Sequence, residues 1–270
     1  MGTDILYRRW DAQPLPASAK AVFLLVHGLG AHTARWTFLA EYLAKEGFAS
    51  FAIELRGFGR TPERPRGHVD SLQVYERDIL ALLETAGREF PGKKAFLLGE
   101  SVGGLVAFNL VGRHPEAFAG QILMSPDFKN GLKFPLSAYA TLALLILFRP
   151  TKTIAVPFTS AMCTRDASYQ AEMDRNPDEL REASLKCLMS ILSEQGRAKR
   201  LAATLRVPSL FLISGTDRLV DEEAGRKIFR RLALEDKTLL EYPEMLHALS
   251  IDIGRERVFQ DIADWTARRV

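Results

Sequence analysis

The chain is short of several things, and each shortage closes a class of function. Only two cysteines, Cys163 and Cys187, stand among its 270 residues, too few for a disulfide framework or a four-thiolate zinc site. It has no His-Glu-x-x-His and no paired Cys-x-x-Cys, so no metal is expected. Neither sign of charge dominates. The 36 Lys and Arg against 33 Asp and Glu leave a formal +3, too little to imply a nucleic-acid partner. Long apolar runs are missing too: the longest, between Lys133 and Arg149, is interrupted early by Pro135 and falls short of the about 20 residues a spanning helix needs. The first 16 residues carry Asp4, Arg8, Arg9 and Asp11 and lack the plan of a secretory signal. A soluble, cytoplasmic protein is the expectation. There is no G-x-x-x-x-G-K-[ST], and Gly28 and Gly30 would need a third glycine where Thr33 stands to make a dinucleotide fingerprint.

What is present is an ordinary globular composition, 47% hydrophobic and 26% charged, in a chain long enough to bury a core without covalent staples. Short apolar runs at 21–26, 50–53, 95–99, 120–124, 209–214 and 238–242 suit parallel strands covered on both faces. Helical patterns lie between them at 36–46, 72–89, 102–113 and 222–234, with Asp221 as an N-cap for the last. Residues 4–10 read as an extra edge strand. This alternation predicts an α/β domain with a mostly parallel sheet and helices on both faces.

Between about Asp127 and Val207 the alternation stops and the pattern reads as helices without strands. Asn176, Pro177, Asp178 and Glu179 have the spacing of a helix start. Leu180, Leu185, Leu188 and Leu192 then form a stripe ending near Gly196. The expected organisation is a core of residues 1–127 and 204–270 with a helical cap, or lid, at 128–203 over the strand ends, where open α/β sheets bind ligands.

The chemistry sits in three places. Gly99, Glu100, Ser101, Val102 and Gly103 match G-x-S-x-G between a strand and a helix. There a serine occupies a sharp, strained turn and small neighbours let the backbone close, so Ser101 is the candidate nucleophile. His27, Gly28, Leu29 and Gly30 end the first apolar run; the amides of Leu29 and Val102 are the candidate oxyanion donors. A serine hydroxyl also needs a base and a carboxylate to hold that base. Of the histidines at 27, 32, 68, 114 and 247, His247 follows the last strand. Asp217 follows the strand at 209–214, and Ser101, Asp217, His247 is the chain order this turn demands. Asp127, after the strand at 120–124, is the rival acid. His114 reads as a surface residue.

In these segments the chain resembles an α/β-hydrolase, and specifically the monoacylglycerol lipase and lysophospholipase branch. The match includes the stretch from His27 through Arg35 and Trp36, and Glu54 to Arg60. It continues through Arg66 to Ser71, the turn at 99–104, Thr164 to Asp166, Asp174 to Pro177, Gly215 to Val220, and His247. The resemblance implies an eight-stranded, mostly parallel sheet, a helical cap inserted after the sixth strand, and cofactor-free hydrolysis of lipid-like esters by Ser101, Asp217 and His247. Three positions depart from the branch: Glu100 stands where it usually has His, Val102 where Met is common, and Glu54 where Asp is usual.

Residues 134–148 are apolar on nearly every helical face, as a helix is when it is buried all round or meets lipid. Such a helix could wall an acyl tunnel, touch a membrane surface transiently, or pack against the stripe from Leu180 to Leu192. The basic stretches 56–66 and 226–231 read as solvated faces, and the two cysteines as small apolar residues. An amide or peptide hydrolase, an acyltransferase using the same triad, and a non-catalytic lipid-binding protein are the alternatives. Oligomeric state, headgroup and acyl length are not encoded in any recognisable pattern.

Overall fold

The computed structural model describes residues 4–131 and 148–270, so the apolar stretch at 134–147 lies outside the described residues. The edge strand expected over residues 4–10 is shorter, β1 (Tyr7–Trp10), while the apolar runs became strands within a residue of their expected bounds: β2 (Val22–Val26), β3 (Ala49–Ile53), β4 (Ala95–Glu100) and β5 (Gly120–Met124). A three-residue pair follows, β6 (Thr153–Ala155) and β7 (Glu182–Ser184), and then β8 (Ser209–Ser214) and β9 (Lys237–Tyr242). Seven of them form one sheet in the order β1-β3-β2-β4-β5-β8-β9, with β1 antiparallel at the edge and the rest parallel. Among the described residues this sheet has one strand fewer than the eight implied, and the segment outside it accordingly follows its fifth strand in the chain rather than a sixth.

Period-2 alternation sorts the buried strand side chains into two clusters. Leu24, Phe51, Leu97, Leu123 and Phe211 face one side, where they meet α2 (Gln73–Glu89) and α3 (Val102–Arg113). Phe23, Leu25, Phe96, Leu98, Ile122 and Leu210 face the other, covered by α1 (Thr37–Lys45) and by the C-terminal helix Arg255–Ala267. That last helix has Val258, Phe259, Ile262 and Trp265 on its buried face. Their helical spacing was the signal that could have revealed it in the sequence.

Between β5 and β8 the expectation of helix without strands needs correcting. Alongside α4 (Ser160–Cys163), α5 (Ala167–Arg175) and α6 (Leu185–Leu201) lies the antiparallel β6–β7 pair, too short to show periodicity. The helix expected from Asn176 starts nine residues later. Asn176 instead closes a turn, its Oδ1 accepting from the Asp178 amide and its carbonyl from the Glu179 amide. The true cap is Ser184, whose hydroxyl accepts from the Cys187 amide, and α6 runs through Gly196 to Leu201. Long-range hydrogen bonding from the Leu180 amide to the Gly30 carbonyl, at 2.8 Å, and the pairing of β7 with β6 outweigh the local cap signal.

Helix α6 lies against α3 through a buried polar contact: Asn109 Nδ2 donates to the Glu194 carbonyl at 3.0 Å and to its carboxylate at 2.8 Å. Both cysteines are buried, and burial raises both thiols, Cys163 to about 11 and Cys187 to about 12. No helix among the described residues is long and apolar enough to cross a membrane.

Candidate active site

Strand β4 ends at Glu100 and α3 begins at Val102, leaving Ser101 alone in the reversal with φ 58° and ψ −122°. A non-glycine residue held there is strained, and the surroundings enforce it. The Ser101 amide donates to the Met124 carbonyl at 2.9 Å, and its own carbonyl accepts from Leu105 and Asp127. The flanking glycines are needed for space. A Cβ on Gly103 would stand 2.1 Å from the Val26 carbonyl oxygen, and one on Gly99 2.2 Å from that of Gly103. Gly28 approaches so closely that its Cβ would lie 3.0 Å from Ser101 Cβ and 3.5 Å from Ser101 Oγ. The His27–Gly30 segment and the serine therefore face each other across the ends of β2 and β4. The Val102 amide, first in α3, has no intrahelical acceptor. The Leu29 amide makes no backbone hydrogen bond among the described residues.

Asp217 and His247 come from the loops after β8 and β9. His247 Nδ1 lies 2.7 Å from Asp217 Oδ2. A carboxylate only accepts, so Nδ1 carries the proton and Nε2 is left to act as a base. Asp217 Oδ1 accepts from the amides of Leu219 and Val220. Burial pushes this carboxyl up, but the imidazole charge and these hydrogen bonds prevail and hold it below its usual range. For His247 burial works downward; Asp217, then Glu100 and Asp127, outweigh it and raise the imidazole above its ordinary 6.5. Neither Ser101 Oγ nor His247 Nε2 makes a hydrogen bond among the described residues.

The other candidates have separate partners. Asp127 is buried with Oδ1 accepting from Gln195 Nε2 at 2.9 Å, and burial raises it to about 6. His27 Nε2 accepts from the Leu55 amide at 3.0 Å. His32 caps the turn at Thr33–Trp36 through Nδ1, His68 Nδ1 meets Ser184 Oγ at 2.8 Å, and partly exposed His114 lies near Glu116. Glu54, the departure from the usual Asp, accepts from both the amide and hydroxyl of Thr33. The basic stretches are paired rather than bare: Arg56 with Asp78 and Glu63, Arg226 with Glu222 and Glu241. Among the described residues no group of three or more His, Cys, Asp or Glu could hold a metal.

Asp252, Ser250 and the pairing of Arg35 with Glu179 escaped sequence reasoning because their partners are remote. Asp252, fully buried, gathers Thr164 Oγ1, the Arg165 amide, Arg165 Nε and the Leu246 amide, locking the loop that carries His247. Arg35 and Glu179 form a buried bidentate pair at 2.7 and 2.5 Å, which joins the turn after α5 to the segment after Gly30. Ser250 binds Glu100. A small apolar cluster of Phe158, Tyr169, Met173, Ala248 and Ile251 completes the seat.

The sequence model of the family described as serine aminopeptidase, S33, matches residues 17–254. Human monoglyceride lipase is 28% identical over 99% of this chain and 88% of its own length. Phospholipase YtpA of Bacillus subtilis is 31% identical over 89% of this chain and 92% of its own. The crystal structure of Paleococcus ferrophilus monoacylglycerol lipase superposes with a TM-score of 0.89 at 25% identity, covering 99% of this chain and all of that one. With its parallel sheet, strained serine turn and these relatives, the chain belongs to the serine aminopeptidase S33 family of α/β-hydrolases, in the branch that holds the monoglyceride lipases.

Proposed function

We propose that this carboxylic ester hydrolase cleaves lipid-like esters, of the monoacylglycerol or lysophospholipid type, through an acyl-enzyme on Ser101. The observation that carries the reading is the Asp217–His247 contact at 2.7 Å, in loops that follow the C-terminal ends of β8 and β9 as Ser101 follows that of β4. Ser101 Oγ attacks the ester carbonyl carbon as its proton passes to His247 Nε2, and Asp217 stabilises the imidazolium. The amides of Leu29 and Val102 donate to the tetrahedral oxyanion, each worth about 3 kcal/mol. The intermediate collapses, the alcohol leaves with the proton from His247, and water repeats the sequence to free the acid and restore Ser101. The Ser101–His247 hydrogen bond forms in this reading when substrate is bound, as catalytic contacts commonly tighten at that stage.

Residues 128–203 are read as the cap over this rim. The lipid-like substrate is supported by the monoglyceride lipase and phospholipase relatives. Transient contact of the cap with a membrane surface belongs to the same proposal.

Fluorophosphonate labelling of the parent protein, lost in Ser101→Ala, is the direct test. Ser101→Ala should cost on the order of 10⁶-fold in kcat with the fold intact; activity within tenfold of the parent would refute the assignment. His247 must be neutral to accept the proton, and it is raised above 6.5, so kcat/KM should fall with decreasing pH already above that value. A series of p-nitrophenyl esters tests substrate class: each added methylene should help by up to about 0.8 kcal/mol while the acyl site lasts. A profile that falls steadily beyond acetate removes the lipid-like substrate.

A further inference from the structure

We propose that Glu100 is a positioning residue for His247: clamped by Ser250, its carboxylate ties the histidine loop to the nucleophile's own strand and sets a negative charge beside the imidazolium. The proposal rests on the Ser101–His247 reading above. Glu100 is the last residue of β4 and shares a strand face with Phe96 and Leu98, the face packed by the C-terminal helix and by Met245 and Leu249. It is 4% exposed, and burying a carboxylate is costly unless its oxygens are satisfied. Both are: Oε1 accepts from the Ser250 amide at 3.0 Å and Oε2 from the Ser250 hydroxyl at 2.9 Å. Ser250 lies three residues beyond His247. Two hydrogen bonds therefore connect the residue before the nucleophile to the loop that carries its base.

A tether alone does not need a charge, since a glutamine amide could hold Ser250 as well. The charge has its own target. The electrostatic neighbours of Glu100 are His247, Arg35, Cys163 and Tyr169, and those of His247 are Asp217, Glu100 and Asp127. Burial raises Glu100 above its ordinary 4.5, and Ser250, His247 and Arg35 offset only part of that rise. Asp217 holds Nδ1 directly and Glu100 supplies a second negative charge from another element. When His247 takes the serine proton, that second charge is already oriented, so no reorganisation is needed at that step.

The experiment compares parent, Glu100→Gln, Glu100→Ala and Ser250→Ala on a short p-nitrophenyl ester from about pH 5 to about pH 9. Expected for Glu100→Gln is a kcat lower by about tenfold, KM within about twofold, and an acid limb of kcat/KM moved down by about one pH unit. Glu100→Ala, which also loses the tether, should fall on the order of a hundredfold. If Glu100→Gln keeps the parent's kcat and acid limb, or loses thermal stability alone, the proposal is overturned. Should Glu100→Gln not fold, Ser250→Ala decides: a kcat loss of about threefold or more at unchanged KM supports the proposal, and parent kinetics overturns it. Fluorophosphonate labelling keeps the two readings apart. An unlabelled parent removes the Ser101 mechanism, whereas a labelled parent and labelled Glu100→Gln with equal kinetics removes Glu100 alone.

Discussion

Two turns border the same rim and are held by opposite means. The reversal at 99–104 is closed by backbone against backbone, with glycines at 99 and 103 where any Cβ would run into a carbonyl group. The turn at 176–180 is held by side chains and remote carbonyls: Arg35 on Glu179, His32 against Asn176 and Glu179, and the Leu180 amide on Gly30. Steric closure tolerates no substitution and titrates with nothing. Ionic closure can be undone by one proton or one mutation, so the side of the rim formed by residues 176–180 is the adjustable side.

The largest effect should come from testing the steric turn. Gly103→Ala places a methyl 2.1 Å from the Val26 carbonyl oxygen and 2.6 Å from that of His27. It should cost about 3 kcal/mol or more in urea unfolding and abolish activity. An unchanged midpoint would show that this turn is as yielding as the other.

Glu179→Ala comes close behind, because it strands Arg35 as a buried unpaired cation, at a cost of about 3 kcal/mol. Its pH signature distinguishes the two turns. Burial pushes Glu179 up, but Arg35 and His32 prevail and lower it from 4.5 to about 2. A depressed carboxylate contributes its full stability above 4.5 and loses it as pH falls toward about 2. Glu179→Gln should therefore flatten the acid side of a stability-against-pH curve in that window, and a curve parallel to the parent's would break the comparison.

A moderate and opposite effect is expected at Asp127, which burial raises from 3.8 to about 6. A raised carboxyl destabilises the fold when ionised, so Asp127→Asn should gain on the order of 2 kcal/mol at pH 8 and lose that advantage as pH falls toward 4. Its kcat should stay within about tenfold of the parent's, because Asp217 makes the contact to His247. A loss on the order of 10⁴-fold would instead make Asp127 the working acid. The smallest effect is at Arg60, whose exposed side chain pairs with Asp178 at 2.8 Å. Arg60→Ala should leave the melting temperature unchanged.

Much of the core was legible because local and tertiary signals agree there. The apolar runs at 120–124 and 209–214 became β5 and β8 with their expected bounds. Helix α3 begins and ends where its pattern does, and Asp221 caps α7 (Glu222–Arg231) as expected. Ser101 could be singled out because its glycine spacing falls between an apolar strand and a helical pattern. The misreadings fall where the two signals conflict. Asn176, Pro177 and Glu179 satisfy every local condition for a helix start, yet Glu179 is drawn to Arg35, 144 residues away. Asp252 carries no signal of burial in the sequence, and only its hydrogen-bond partners explain its burial.

The sequence by itself determined the sheet, the strained serine and the order in which Asp217 and His247 follow it, since these depend on periodicity and on where glycine is tolerated. Tertiary structure alone decided which carboxylates are buried, which arginine meets Glu179, and where the segment between β5 and β8 turns. Those outcomes depend on distances between residues far apart in the chain, and no local pattern encodes a distance.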